Sequence, residues 1–141
     1  MRTLAVVVLL AAVSPVLAEE AERVPPVTNE AAKRECGACH VAYQPGLLPA
    51  ESWRRLFAGL GDHFGTDASL DEPVRKEITD YYVAHAGREA GATPPARITE
   101  APWWVREHRR VGAATWAKPE VKVKGNCTAC HRQAEQGVYG D

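Results

Sequence analysis

The chain has 141 residues, with 17 basic and 18 acidic side chains, for a formal net charge of −1. A balance this even argues against a nucleic-acid binder, which needs a basic face to meet phosphate. The length allows one domain or two very small ones.

Read from its start, the chain has Arg2, an apolar run from Leu4 to Val13, then Ser14-Pro15 and the small-residue end Val16-Leu17-Ala18. This is the pattern of a secretory signal, cleaved after Ala18 before the polar switch at Glu19-Glu20. The run is shorter than the roughly 20 apolar residues a membrane helix requires, and no second run of that length follows. The expectation is an exported, periplasmic protein without a membrane span in its mature chain. Residues 19–27 are rich in Pro and Glu and read as a mobile lead-in. Thr28 or Asn29 can cap a helix through Glu30 to Glu35 that runs into Cys36-Gly37-Ala38-Cys39-His40. A Pro/Gly loop follows from Gln44 to Pro49. Trp53, Leu56, Phe57 and Leu60 then recur at helical spacing, with Gly61 as the stop. A third helix starts near Asp71, with Pro73 in its first turn and Val74, Ile78, Tyr81 and Tyr82 facing inward. Gly87 to Pro95 reads as a linker, which places a first unit at residues 19–90 and a second at 91–141. Beyond the linker the periodicity fades, leaving irregular chain with one short helix near Val105 to Arg110.

The two units differ in charge. Residues 19–90 hold 8 basic and 13 acidic side chains, a net of −5, whereas residues 91–141 hold 8 and 5, a net of +3. They present different fields to a docking partner, and Arg97, Arg106, Arg109, Arg110, Lys118, Lys122 and Lys124 make the basic half a candidate dock for an acidic one.

The four cysteines fall into two pairs, each followed at once by histidine: Cys36 to His40 and Cys127-Thr128-Ala129-Cys130-His131. A zinc site would have to join Cys39 to Cys127, a gap far beyond that of a compact zinc ribbon. A redox dithiol explains neither the repeat nor the histidines. Cys-x-x-Cys-His is the attachment signature of c-type haem, so the reading is two covalently bound haem c groups, held by Cys36 and Cys39 and by Cys127 and Cys130. His40 and His131 then follow as proximal iron ligands.

The sixth position on each iron is the informative question. Methionine, a frequent distal ligand that raises the potential, occurs only as Met1 inside the signal. What remains is His, Lys, an N-terminal amine or an open site. Three histidines are left, at 63, 85 and 108. His63 lies in the loop Gly61-Asp62-His63-Phe64-Gly65, as far after His40 as His108 lies before His131. His85 sits on the third helix in register with its apolar positions, where a histidine is more often a half-buried helix residue. Segment order favours His63 for the first haem and His108 for the second.

The ordered set Cys36 to His40, Leu47-Leu48-Pro49 with Trp53, His63-Phe64-Gly65, Ile78, Tyr81, Pro102-Trp103-Trp104 with His108, Trp116, and Cys127 to His131 with Ala134 and Gly137 resembles the small dihaem cytochromes c. The resemblance spans most of the mature chain. It implies a mainly α fold, with a first unit similar to class I cytochromes c and a smaller, largely irregular second unit. It also implies bis-histidine ligation, with His63 and His108 distal, and redox partners such as an oxygen-binding monohaem cytochrome c and a membrane b-type cytochrome. Trp53 reads as core, and Trp103 and Trp104 as packing for the second haem.

The function expected is electron transfer rather than enzymatic catalysis, because an iron with two imidazole ligands has no vacant position for substrate. The alternative is a haem enzyme or gas-binding protein with one open or labile site. The charge asymmetry adds that the second haem, in the basic half, is the more easily reduced.

Overall fold

The computed structural model describes residues 23–87 and 93–140. The expected signal, the start of the lead-in and the middle of the linker lie outside the described residues. Among those described, the fold is mainly α, with five short helices, five 3-10 turns and no strand beyond two isolated bridges. No described helix is long and apolar enough to cross a membrane.

Helix α1, Glu30–Gly37, begins where the Asn29 side chain accepts a hydrogen bond from the Ala32 amide at 2.7 Å. This cap satisfies one of the four amides a helix start leaves free. Helix α2, Ala50–Ala58, carries Trp53 and Phe57 inward and stops at Gly59, ahead of the expected Gly61. The chain then tightens into a 3-10 turn over Leu60–Asp62, which brings the fourth apolar position, Leu60, into the core outside the helix proper. Helix α3, Glu72–Ala84, opens with Pro73 in its first turn, where a missing amide hydrogen costs nothing. It buries Ile78 and Tyr82 completely, while Val74 and Tyr81 pack at the edge. Tyr82 stands edge-on to both Trp53 and Phe57, at 4.6 and 5.1 Å between ring centres, the arrangement aromatic quadrupoles favour. Helix α3 packs on α2 and on α1, forming three helices about one apolar centre.

The core continues past the linker: Ala101 and Trp104 belong to the same buried cluster as Trp53, Ile78 and Tyr82. The linker's flanks are tied to α2, with the Ser52 hydroxyl donating to the Pro95 carbonyl at 2.7 Å and Arg55 donating to Pro94. The short helix expected near Val105 to Arg110 begins earlier. Helix α4 runs Pro102–Glu107, because Pro102 takes the first helical position and starts a turn that includes both tryptophans. A further helix, α5, covers Ala113–Trp116 and has no counterpart among the expected elements. Its single turn is too short to show a period.

The lead-in also needs correction at its described end. Val27 is buried, and the Val24 amide donates to the Gly137 carbonyl at 2.8 Å. Gly137 adopts φ +74°, and a side chain there would strike the Val24 carbonyl. The two ends of the described chain are thereby pinned together.

Candidate haem sites

Cys36 lies in the last turn of α1, with Cys39 and His40 in the turn that follows. The helix end presents all three to a cavity of about 640 Å³ whose walls include Leu48, Trp53, Phe57, Leu60 and Tyr82. His63 closes the far side. It sits at the end of the 3-10 turn, where its amide donates to the Thr66 carbonyl at 2.8 Å and Asp62 accepts from the Gly65 amide at 2.9 Å. The loop reverses through left-handed backbone at Phe64 (φ 56°) and Gly65 (φ 91°). A non-glycine residue in that region is uncommon and tends to mark functional sites. Here the Arg97 guanidinium covers the Phe64 ring at 3.7 Å from its centre.

The His40 and His63 rings face each other across the cavity, 6.2 Å between centres and 24° from parallel. Imidazole nitrogens bind first-row metals such as zinc at about 2 Å and the ring centre lies about 1 Å behind the nitrogen, so two imidazoles sharing one ion have centres about 6 Å apart. The spacing fits an iron between them. His40 Nδ1 lies 2.7 Å from the Val41 carbonyl, an arrangement in which Nδ1–H donates and Nε2 is left to ligate. Burial, with His40 and Arg97 nearby, lowers the His63 pKa and so favours the neutral form that binds metal.

The second site has different supports. A 3-10 turn over Cys127–Ala129 leads to His131, whose amide donates to the Cys127 carbonyl at 2.8 Å. His108 follows α4, and its Nδ1 lies 2.9 Å from the Trp104 carbonyl. The Trp104 indole stacks flat on the His108 imidazole, 4.1 Å between centres and 13° from parallel. His108 and His131 stand 6.1 Å apart, nearly the same spacing as in the first pair, but at 84°. His131 Nδ1 is buried without a partner in the protein, and Tyr139 meets its ring edge-on at 5.6 Å.

Each pair thus has one imidazole anchored through a backbone carbonyl, the proximal His40 in the first and the distal candidate His108 in the second. His85 is not paired with another histidine. It is exposed at the end of α3, with Nδ1 at 2.8 Å from the Tyr81 carbonyl and its ring against Tyr81. Among the described residues no three His, Cys, Asp or Glu side chains converge as a metal-ion cluster. Burial, aided at Cys36 by the Glu35 carboxylate, pushes the thiols of Cys36 and Cys127 up to about 11.

Trp104 does more than pack on the second site, since it also lines the first cavity. Trp103 donates through its indole nitrogen to the Leu47 carbonyl at 3.3 Å. Cys127, Lys124 and Arg97, all from the basic half, stand on the wall of the first cavity as well. Sequence reasoning does not single out Tyr43 and Tyr139, whose rings meet His40 and His131, or Gln44, which accepts from the Tyr139 hydroxyl. No local pattern announces them.

Residues 32–139 match the family described as dihaem cytochrome c. Among solved structures, one diheme cytochrome c from Rhodobacter sphaeroides is 40% identical over 82% of this chain and 99% of that one, with a TM-score of 0.74. A second structure, of DHC purified from the same organism, is 45% identical over 80% and 98%, with a TM-score of 0.72. The diheme cytochrome c of Shewanella baltica OS155 is 39% identical over 78% and 85%, with a TM-score of 0.71. Comparison with curated proteins gave no match. The chain belongs to the dihaem cytochrome c family, a family of electron carriers with two covalently bound haem c groups.

Proposed function

We propose that the protein is a periplasmic electron carrier whose two haems are both low-spin and bis-histidine. The first is held by Cys36 and Cys39 and ligated by His40 and His63. The second is held by Cys127 and Cys130 and ligated by His131 and His108. The observation that carries this reading is a pair of imidazoles at each motif whose ring centres lie 6.2 and 6.1 Å apart, the spacing expected of two imidazoles sharing one ion. Each unit, 19–90 and 91–141, contributes the cysteines and both histidines of its own haem, although the apolar core runs through both. The segment from Met1 to Ala18 acts as the export signal and is removed.

Two imidazoles on an iron block substrate and gas, while an electron still enters and leaves at the haem edge. The thioether that raises the potential in His/Met cytochromes is missing, so both potentials lie below theirs. Family resemblance supports redox proteins as partners, an oxygen-binding monohaem cytochrome c and a membrane b-type cytochrome among them. The deciding experiment is the visible spectrum of the reduced protein with and without carbon monoxide. Unchanged low-spin spectra are expected. Stoichiometric carbon monoxide binding at either haem in the intact protein would instead mark an open or labile site, and a gas-binding or catalytic role.

A further inference from the structure

Two adjacent residues just after the first haem motif reach the second one. The Tyr43 ring stacks on the His40 imidazole, 4.8 Å between centres and 22° from parallel. Its hydroxyl donates to the distant Gly125 carbonyl at 2.7 Å. That same carbonyl accepts from the Cys127 amide at 2.9 Å, so Tyr43 holds the peptide beside the second haem's first cysteine. The approach is too close for a side chain at position 125, where a Cβ would lie 2.9 Å from the Tyr43 hydroxyl. Gln44 is fully buried. Its amide nitrogen donates to the Ala134 carbonyl at 2.7 Å, and its oxygen accepts from the Tyr139 hydroxyl. Tyr139 in turn stands edge-on to His131. A buried amide satisfied at both ends by one distant segment specifies the placement of that segment, because a buried polar group left unpaired forfeits its hydration without compensation.

We propose that Tyr43 and Gln44 are positioning residues for electron exchange between the two haems, clamping the second Cys-x-x-Cys-His segment to the proximal side of the first. This role presupposes haem attachment at Cys36, Cys39, Cys127 and Cys130, as proposed above. Cys127 already lines the first cavity, so the second haem's attachment point is part of the first haem's wall. Electron transfer between fixed centres weakens steeply with the gap between them, and the Tyr43 hydrogen bond sets the position of Gly125 to Cys127 relative to His40. The step moves one electron from the ferrous centre to the ferric one, with no bond made or broken and no proton transferred.

The test uses the full holoprotein, half-reduced, with the intramolecular exchange rate read from magnetisation transfer between haem-methyl resonances in its concentration-independent range. Tyr43→Phe keeps the ring on His40 and deletes only the bond to Gly125. It should retain two haems and both low-spin spectra while exchange slows several-fold. Ser52→Ala is the comparison, since it also loses a long-range hydrogen bond from a buried side chain, but one that runs to Pro95 and not to either Cys-x-x-Cys-His segment. It should exchange at the native rate even if its melting temperature falls as far. A native rate in Tyr43→Phe, or equal slowing in Ser52→Ala, would overturn the proposal. Fewer than two haems or high-spin iron in the unaltered protein would instead refute the site assignment, and this inference with it.

Discussion

The region before the linker and the region after it solve the same problem by different means. In the first, three helices enclose a cavity, and His63, the proposed distal ligand, hangs from a loop whose backbone is left-handed at two successive residues. In the second, two helices of six and four residues and a series of 3-10 turns provide little apolar wall, and His108, the proposed distal ligand, is held by a flat indole and a backbone carbonyl. A small domain cannot bury enough surface to fix a side chain by general packing. The second region therefore relies on specific stacking, and it borrows core from the first through Ala101 and Trp104. The spacing of the imidazoles is nearly the same in both, but their mutual angle is not.

The largest effects should come from the distal histidines. His63→Ala and His108→Ala should each turn one haem high-spin in the visible spectrum, whereas His85→Ala should leave both spectra as they are. The ring angles make the two losses separable. Near-parallel imidazoles interact with the same iron d orbital and split the pair of d orbitals, giving a rhombic ferric EPR signal. Near-perpendicular ones interact with one orbital each and give a single signal at large g. His63→Ala should abolish the former and His108→Ala the latter. A high-spin signal from His85→Ala would break the assignment, and identical EPR signals from the two native haems would break the contrast in angle.

Trp104 tests how far the two regions are independent. It lies in the shared core, lines the first cavity and stacks on His108, so Trp104→Ala should destabilise the whole molecule by about 3–5 kcal/mol, as large aromatic truncations in cores do. Thermal unfolding followed at both haems should shift together. If only the second haem's transition moved, the regions would be separate folding units after all.

The sequence is a good guide where structure is local. The Asn29 cap, the apolar faces of α2 and α3 and the two attachment motifs all rest on residues within a turn or two of each other. The sequence points to each of them, while leaving Thr28 and Asn29 both open as the cap and running α2 on to Gly61. Where contacts are distant it is a poor one. Nothing near Tyr43, Gln44 or Val24 marks them as reaching positions 125, 134 and 137, because a hydrogen bond between segments so far apart leaves no periodic trace. The start of α4 is legible in principle from Pro102, a residue suited to a first helical position, but the adjacent tryptophans point equally to haem packing. Charge summed by segment also misleads, since Arg97 and Lys124 of the basic half stand on the wall of the first cavity. Segment totals therefore do not decide which haem is the more easily reduced.

A positive charge beside a haem favours its reduced state, so Arg97→Gln should lower the potential of the first haem and leave the second almost unchanged. Arg97 is exposed and engaged with Glu100 at 3.7 Å, so solvent and a counter-charge moderate the effect. A site-assigned redox titration in which the second potential moved more would place the influence of Arg97 elsewhere.

The smallest expected effect concerns docking. Lys122, Val123 and Lys124 are all exposed, and Val123 and Lys124 belong to the wall of the first cavity. Lys124 also lies 5.8 Å over the Trp116 ring, next to His108. The segment thus stands between the two sites rather than around the second alone. An apolar side chain flanked by lysines suits an acidic redox partner, which charge would steer in before apolar contact forms. Steering of this kind acts on the encounter rate and fades as salt shortens the screening length to about 8 Å at physiological ionic strength. Reversing Lys122 and Lys124 to Glu should slow electron exchange with an acidic partner at low salt, progressively less as salt rises, with both haem spectra intact. Should the native rate prove insensitive to salt, or the reversal leave it unchanged, the segment would be a solvated surface, and the dock would have to be sought on the acidic side of the first region.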